Sequence, residues 1–273
     1  MIDILLRRRN LLICKQERNI RAVCFEADGE QTVAITKVGS APAITMQYSY
    51  NGSFWRDWDL SALPFGGDTK VYVRGVGNVR FGIDKSNYNK ISFGTDAFVY
   101  VSGIAESLLD GENEVIVYDT PGILRNLFYQ QTALRSAENL HFEAIRTGYN
   151  GTAVYAYMFY GCTNLLYAPK ALTITKIAGG YECVHMFQGC TSLVNAPELP
   201  ATTLSIYCYQ NMFDGCTSLK SIRCKAKVKA NGATSAWLNG IATSGTFYGY
   251  SEYGWGSGGS GIPSGWEFVE LTD

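Results

Sequence analysis

The segment Met158-Phe159-Tyr160-Gly161-Cys162-Thr163-Asn164-Leu165 returns as Met186-Phe187-Gln188-Gly189-Cys190-Thr191-Ser192-Leu193, and again as Met212-Phe213-Asp214-Gly215-Cys216-Thr217-Ser218-Leu219. With the phenylalanine as marker, the intervals are 28 and 26 residues. A weaker copy, Leu127-Phe128-Tyr129-Gln130-Gln131-Thr132-Ala133-Leu134, lies 31 residues upstream of the first strong one. Gly245-Thr246-Phe247-Tyr248 reads as a terminal half-copy, and Ala168-Pro169-Lys170-Ala171-Leu172 and Ala196-Pro197-Glu198-Leu199 follow two of the strong motifs. A unit of this length cannot bury its own apolar face, so self-similarity at this period predicts stacked coils sharing one interior.

Each unit can be read physically. The aromatic-rich stretch before the Met-Phe pair, Tyr155-Ala156-Tyr157 or Tyr207-Cys208-Tyr209, predicts one or two helical turns. Gly161, Gly189 and Gly215 would end them in the left-handed conformation that glycine adopts cheaply. Cys162, Cys190 and Cys216 are expected to turn inward as small fillers, with Leu165, Leu193 and Leu219 in the coil centre. The proline-containing segment cannot continue a helix and leads into an extended edge. Beyond the last strong unit, Ile222, Cys224, Ala226, Val228 and Ala230 alternate with Arg223, Lys225, Lys227 and Lys229. This predicts a strand with one apolar and one basic face.

The preceding residues have a different period. Ile44, Met46, Tyr48 and Tyr50 alternate with Thr45, Gln47 and Ser49, the mark of a half-buried strand. Asn51-Gly52 follows at once and predicts a type I′ hairpin turn into Ser53-Phe54-Trp55. Ala22–Glu26, Thr32–Val38, Lys70–Arg74, Lys90–Phe93 and Phe98–Val101 are further strand candidates. About seven short strands in roughly a hundred residues predict a β-sandwich. The expected class is therefore mainly β with short helices. It divides into an N-terminal segment 1–21, a β-sandwich-like domain 22–118 and a repeat solenoid with a C-terminal cap over 119–273. At 273 residues, with 47% hydrophobic and 17% charged side chains, two domains could each bury a core.

Several function classes lose support. A net charge of −1 gives no field for nucleic acid, and no apolar run approaches the roughly 20 residues that span a bilayer. Leu11-Leu12-Ile13 after Arg7-Arg8-Arg9 is too short for the apolar region of an export signal. His141 and His185 are the only histidines, and His185 occupies a repeat position filled elsewhere by Tyr157 and Asn211, the mark of a tolerated site and not of a catalytic base. The cysteines lack zinc-knuckle spacing, and most of them fall inside the repeats as free thiols would. Gly254-Trp255-Gly256-Ser257-Gly258-Gly259 matches a phosphate-loop pattern in letters, but no helical pattern follows it. No catalytic residue, metal or cofactor is expected.

The repeated M-F-x-G-C-T-x-L with A-P-x-L resembles the BspA-like leucine-rich repeat proteins, abundant in gut Bacteroidetes and their prophages. Thr36-Lys37-Val38-Gly39-Ser40, the Tyr48–Trp55 hairpin and Lys70-Val71-Tyr72-Val73-Arg74-Gly75 are similar to the β-domain often attached to them. Ser107-Leu108-Leu109 resembles its junction, and Gly261-Ile262-Pro263-Ser264-Gly265-Trp266 resembles the closing segment. Leu5-Leu6-Arg7-Arg8-Arg9 is similar to the starts of prophage-encoded members. Two units depart from the pattern: Gln130-Gln131 replaces Gly-Cys in the first, read as a cap, and Ile222-Arg223 replaces Ala-Pro after the last.

The resemblance implies surface display, adhesion and binding of a protein or glycan partner at a cell surface. The alternative is a structural part of a prophage particle, and a glycan-active or other enzyme is a remote third. Candidate partner-binding residues are the basic Arg223, Lys225, Lys227 and Lys229, together with Tyr250, Tyr253 and Trp255, whose rings could stack on sugars.

Overall fold

The computed structural model describes residues 20–111, 117–118, 121–143, 146–147, 153–173, 180–251 and 254–272. The described chain is mainly β, with several sheets, no closed barrel and almost no helix. The strands are β1 (Val23–Ala27), β2 (Gln31–Val38), β3 (Met46–Ser49), β4 (Arg56–Trp58), β5 (Leu63–Phe65), β6 (Val71–Gly75), β7 (Tyr88–Phe93) and β8 (Val99–Ile104). A short 3-10 turn, Ala105–Leu108, follows. Then come β9 (Val117–Tyr118), β10 (Leu134–His141), β11 (Arg146–Thr147), β12 (Thr203–Leu204), β13 (Ser221–Arg223), β14 (Val228–Lys229), β15 (Gly245–Gly249) and β16 (Trp266–Glu270). No described helix is long and apolar enough to cross a membrane.

The first eight strands form two antiparallel arrays, one containing β8-β1-β6-β3-β4 and the other β5-β2-β7. Phe25 of the first meets Phe93 and Phe65 of the second, at ring distances of 5.3 and 6.4 Å. The β3–β4 hairpin forms, pairing Met46 with Trp58 and Tyr48 with Arg56, but the alternation reverses at its tip, where Ser49 is buried and Tyr50 exposed, and the return strand begins at Arg56, past the expected Ser53-Phe54-Trp55. Its turn differs from expectation. Only Gly52 has positive φ (72°), and the loop is held by Asn51 Oδ1, which accepts the amides of Ser53 and Phe54 at 3.0 Å each. An Asx-type loop does the work expected of a two-residue I′ turn.

The larger array does not stop at β8. Strand β10 adds to it in parallel, and the ladder passes through bridges Ser136–Tyr167, Tyr167–Asn195 and Asn195–Ser221 to β13, β15 and β16. One apolar cluster likewise runs from Val23 to Trp266, so the two halves share a core where two cores were expected. Its spine is aromatic. Phe93 stacks on Phe128 at 6.4 Å, Phe128 on Phe159 at 5.4 Å, Phe159 on Phe187 at 5.1 Å and Phe187 on Phe213 at 5.6 Å. The repeated phenylalanines therefore occupy equivalent places, with interplanar angles of 4° and 7° between the three strong copies.

The helical turns predicted before each Met-Phe pair are absent. In their place runs a series of reverse turns in which every fourth residue is left-handed: Ala153, Tyr157 and Gly161 in one copy, Tyr181, His185 and Gly189 in the next, then Tyr207, Asn211 and Gly215. Gly122, Asn126 and Gln130 begin the series, and Gly232, Ala236 and Gly240 end it. Half of the amides close turns within the copy, as Met158 N to Tyr155 O and Tyr160 N to Tyr157 O. The alternate amides leave it: Tyr155, Tyr157, Phe159 and Gly161 donate to the carbonyls of Glu182, Val184, Met186 and Gln188 in the next copy. An α-helix keeps its amides to itself; here they link neighbouring copies through the main chain.

This ladder also relocates the terminal copy. Phe213 N donates to Trp237 O, which puts Trp237-Leu238 in the Met-Phe place, whereas Phe247 pairs in β15 opposite Ile222 of β13. The expected half-copy at 245–248 is therefore strand, and the copy itself lies upstream of it.

Cysteine has a specific task in the stack. Cys162, Cys190 and Cys216 turn inward as expected, and each Sγ donates to the carbonyl of the phenylalanine one copy earlier, at 3.0, 3.1 and 3.0 Å. With Cys183, Cys208 and Cys224 they are buried free thiols. Burial pushes Cys162 and Cys224 up to about 12, so they stay protonated. The first copy has no earlier phenylalanine of its own kind, and Gln131 replaces cysteine there. The Gln131 side chain accepts Phe93 N at 2.9 Å and donates to Tyr129 O at 3.0 Å, joining the first copy to β7.

Candidate functional site

The basic strand read from the sequence breaks in two. Ile222, Cys224 and Ala226 are buried as predicted, but Val228 is 54% exposed. The amides of Lys227 and Val228 both donate to Thr202 O, so an extra residue is accommodated and the alternation reverses there. Arg223 is exposed, and Lys225 pairs with Glu198. Lys227 Nζ lies 4.3 Å from the Tyr250 ring centroid, and Lys229 Nζ lies 5.2 Å from that of Trp255. The structure thus joins two of the predicted cations to two of the predicted aromatics. It does so by covering the rings. Trp255 is 5% exposed, stacked on Trp237 at 5.7 Å and edge-on to Phe247, so no face is open for a sugar. Burial lowers the Lys229 pKa. Tyr253 lies outside the described residues.

A different surface assembles from positions that vary between the copies. Two residues before each repeated phenylalanine stand Asn126, Tyr157, His185 and Asn211; one residue after it stand Tyr129, Tyr160, Gln188 and Asp214. The second row continues to Asn239 in the terminal copy. Because the flanking Met, Phe and Cys point inward, these positions form two adjacent columns, except that Asn126 is buried, so the first column starts at Tyr157.

The columns are ordered by side-chain contacts. Tyr129 stacks on Tyr160 at 5.0 Å, with 7° between the planes, and Tyr157 stacks on His185 at 4.6 Å. Tyr157 also meets Tyr160, at 5.8 Å. Further along, His185 Nδ1 bonds Gln188 Oε1, Gln188 Nε2 donates to Asp214 Oδ2 at 2.7 Å, and Asn239 donates to Asp214 Oδ1 at 3.1 Å. Asn211 Nδ2 reaches Asp214 at 3.4 Å. At the opposite end, Arg125 lies 5.1 Å from the Tyr157 ring centroid and Lys90 of β7 lies 5.9 Å from that of Tyr129, which also packs on Tyr88. Burial lowers the pKa of Arg125, of Lys90 and of His185, and raises those of Tyr129 and Tyr157. The ribbon is cationic and aromatic at one end and amide- and carboxylate-lined at the other.

The signal for this ribbon was in the sequence. The recurrent M, F, C and L of the repeat mark the interior; the letter x in M-F-x-G marks its outer face.

A second polar cluster lies inside the molecule. Glu106, in the 3-10 turn after β8, is 2% exposed. It accepts the Tyr155 hydroxyl at 2.7 Å and the Glu143 amide at 2.8 Å, while the Glu143 carboxylate pairs with Arg21. Burial pushes the Glu106 carboxyl up to about 7, against the lowering pull of its hydrogen bonds. Enclosed as it is, this group ties the β-strands to the second copy and has no face for a ligand.

Comparison with known families, curated proteins and solved structures finds no match to this chain.

Proposed function

We propose that the chain is a short BspA-like leucine-rich-repeat solenoid, seated on a β-sandwich that caps it, and that it acts as a non-enzymatic recognition module for a protein or glycan at a cell surface. One observation carries this reading: the recurrent Met, Phe, Cys and Leu of each strong copy are buried, while in those copies the positions beside the repeated phenylalanine reach the surface, half-exposed, as two columns of aromatic and hydrogen-bonding side chains. Stacked repeats commonly present such extended surfaces, because the interior fixes the spacing and leaves the outer letters free to suit a partner. The ribbon's composition agrees, since tyrosine supplies contact area at low conformational cost and amides and carboxylates supply orientation.

The test uses the intact chain on a glycan array and in pull-downs from bacterial, host and phage surface material. His185→Ala and Asp214→Ala should each weaken the captured interaction about tenfold, on the scale of a hot-spot contact, with unchanged melting. Capture of nothing, or binding indifferent to both substitutions, refutes the proposal.

A further inference from the structure

At the cationic end of the ribbon, Arg125 and three tyrosine hydroxyls keep hydrogen-bonding capacity that the described residues do not fill. Arg125 is half-buried, its Nε is buried without a hydrogen-bond partner, and among the described residues no carboxylate lies within ion-pair distance of its guanidinium. Among the described residues, the acid whose field reaches it, Asp84, is already bonded by the Asn87 side chain at 2.9 and 3.0 Å and by the Ser86 amide at 2.7 Å. Lys90 Nζ stands on the same side, 3.4 Å from Tyr129 O. Among the described residues, the hydroxyls of Tyr129, Tyr157 and Tyr160 make no hydrogen bond to the protein. A partly desolvated guanidinium without a counter-charge is costly for a fold to keep and ready for an external oxyanion.

Resting on the recognition reading above, we infer that this end of the ribbon binds a saccharide bearing an acidic group. The terminal nitrogens of Arg125 hold the oxyanion, since its Nε is enclosed by the protein, and the hydroxyls of Tyr129 and Tyr160 bond to neighbouring sugar hydroxyls. A carboxylate and a sulfate ester present the same paired oxygens to a guanidinium fork. The two tyrosine rings stand 5.0 Å apart, which sets their hydroxyls in a row suited to successive ring substituents. An acidic peptide fits less well. The amides of the turn run already bond within the ladder, so little main chain remains to pair with a peptide backbone. Asp214, farther along, repels acid at the other end and so fixes the direction in which the saccharide lies.

The experiment is titration of the intact chain with hexagalacturonate, with a heparin-derived hexasaccharide and with neutral cellohexaose, at low and at high salt. The acidic probes should bind at least about tenfold more tightly than the neutral one, and the preference should shrink as salt screens it. Comparison of the two acidic probes tells carboxylate from sulfate. Arg125→Gln should remove the preference, Arg125→Lys should retain part of it, and Tyr160→Phe should weaken binding severalfold with unchanged melting. Lys220→Gln, an exposed cation away from the ribbon, should leave affinity within about twofold. If Arg125→Gln does not fold, Arg125→Lys and Tyr160→Phe carry the test. Equal affinity for neutral and acidic probes, indifference to those two variants, or binding of no saccharide overturns the inference. A protein partner captured by the wild-type chain and lost in Asp214→Ala, with no saccharide bound, overturns this inference alone and leaves the recognition reading standing.

Discussion

Replacing Glu106 with glutamine tests the interior at its most sensitive point. The ordinary pKa of this group, 4.5, rises to about 7 in the folded chain because burial disfavours the charge. Between those values the folded state binds a proton that the unfolded state has released, so this group's effect on stability becomes less favourable as pH rises. Integrated from pH 5 to pH 8, the linkage amounts to about 2.5 kcal/mol of lost stability. Full burial means that solvent screening takes little of it away. Glutamine suits the site: its carbonyl oxygen can accept the Glu143 amide, and its NH2 can donate to Tyr155 once that hydroxyl turns to accept. Glu106→Gln should therefore match the wild type within about 1 kcal/mol at pH 5 and exceed it by roughly 2 kcal/mol at pH 8. The assay is urea unfolding followed by tryptophan fluorescence across that range. His185 contributes with the opposite sign, since burial lowers its pKa and its stabilisation fades as pH falls; being common to both proteins, it cancels in the difference. Parallel free-energy curves for the two proteins would refute the reasoning.

Two further outcomes follow from the stacking. Phe187→Ala removes the ring between Phe159 and Phe213 and should cost about 3–5 kcal/mol in urea unfolding; Phe187→Leu, which copies Leu238 of the terminal unit, should cost less than half of that. Gly189→Ala should cost only about 1–2 kcal/mol, because φ is 75° but a Cβ would sit 3.7 Å from Gly161 Cα, an ordinary contact. Gly103→Ala should cost clearly more in the same assay, since its Cβ would lie 2.1 Å from Ala22 O.

The sequence was most legible where one residue type recurs in one environment. The Phe159, Phe187 and Phe213 slots, the inward cysteines and even the weak Phe128 copy could be read because burial imposes a choice of side chain. The turn runs are not legible in the sequence because their cause lies between copies. Tyr155-Ala156-Tyr157 taken alone allows a helix, and nothing within it reveals that alternate amides bond to the next copy. The left-handed Tyr157, His185 and Asn211 carry no glycine to announce them. The terminal copy is hidden in the sequence for a related reason: Trp237-Leu238 fills the Met-Phe place with different letters, while Phe247 repeats a letter in another place. In the basic strand the alternation was genuine up to Ala226, and a single shared acceptor, Thr202 O, ended it. The ribbon is hard to see in the sequence because its residues are the ones that the repeat does not keep.

The departures from the repeat pattern are also what make the ribbon possible. A stacked array needs its end surfaces covered, because a terminal copy otherwise exposes the face that its neighbours would bury. At one end Trp237, Phe247 and Trp255 close the stack, with Lys229 over the last ring. At the other, β7 takes the place of a missing copy. Ile91 N donates to Leu127 O, Phe93 stacks on Phe128, and Gln131 receives Phe93 N where a cysteine would have had no matching phenylalanine carbonyl to reach. Seating the first copy on β7 brings Lys90 beside Tyr129, and the same copy carries Arg125 to the ring of Tyr157. The charge at that end of the ribbon is thus a product of the join: the β-strands supply one cation, the first copy supplies the other, and neither half would assemble the pair alone.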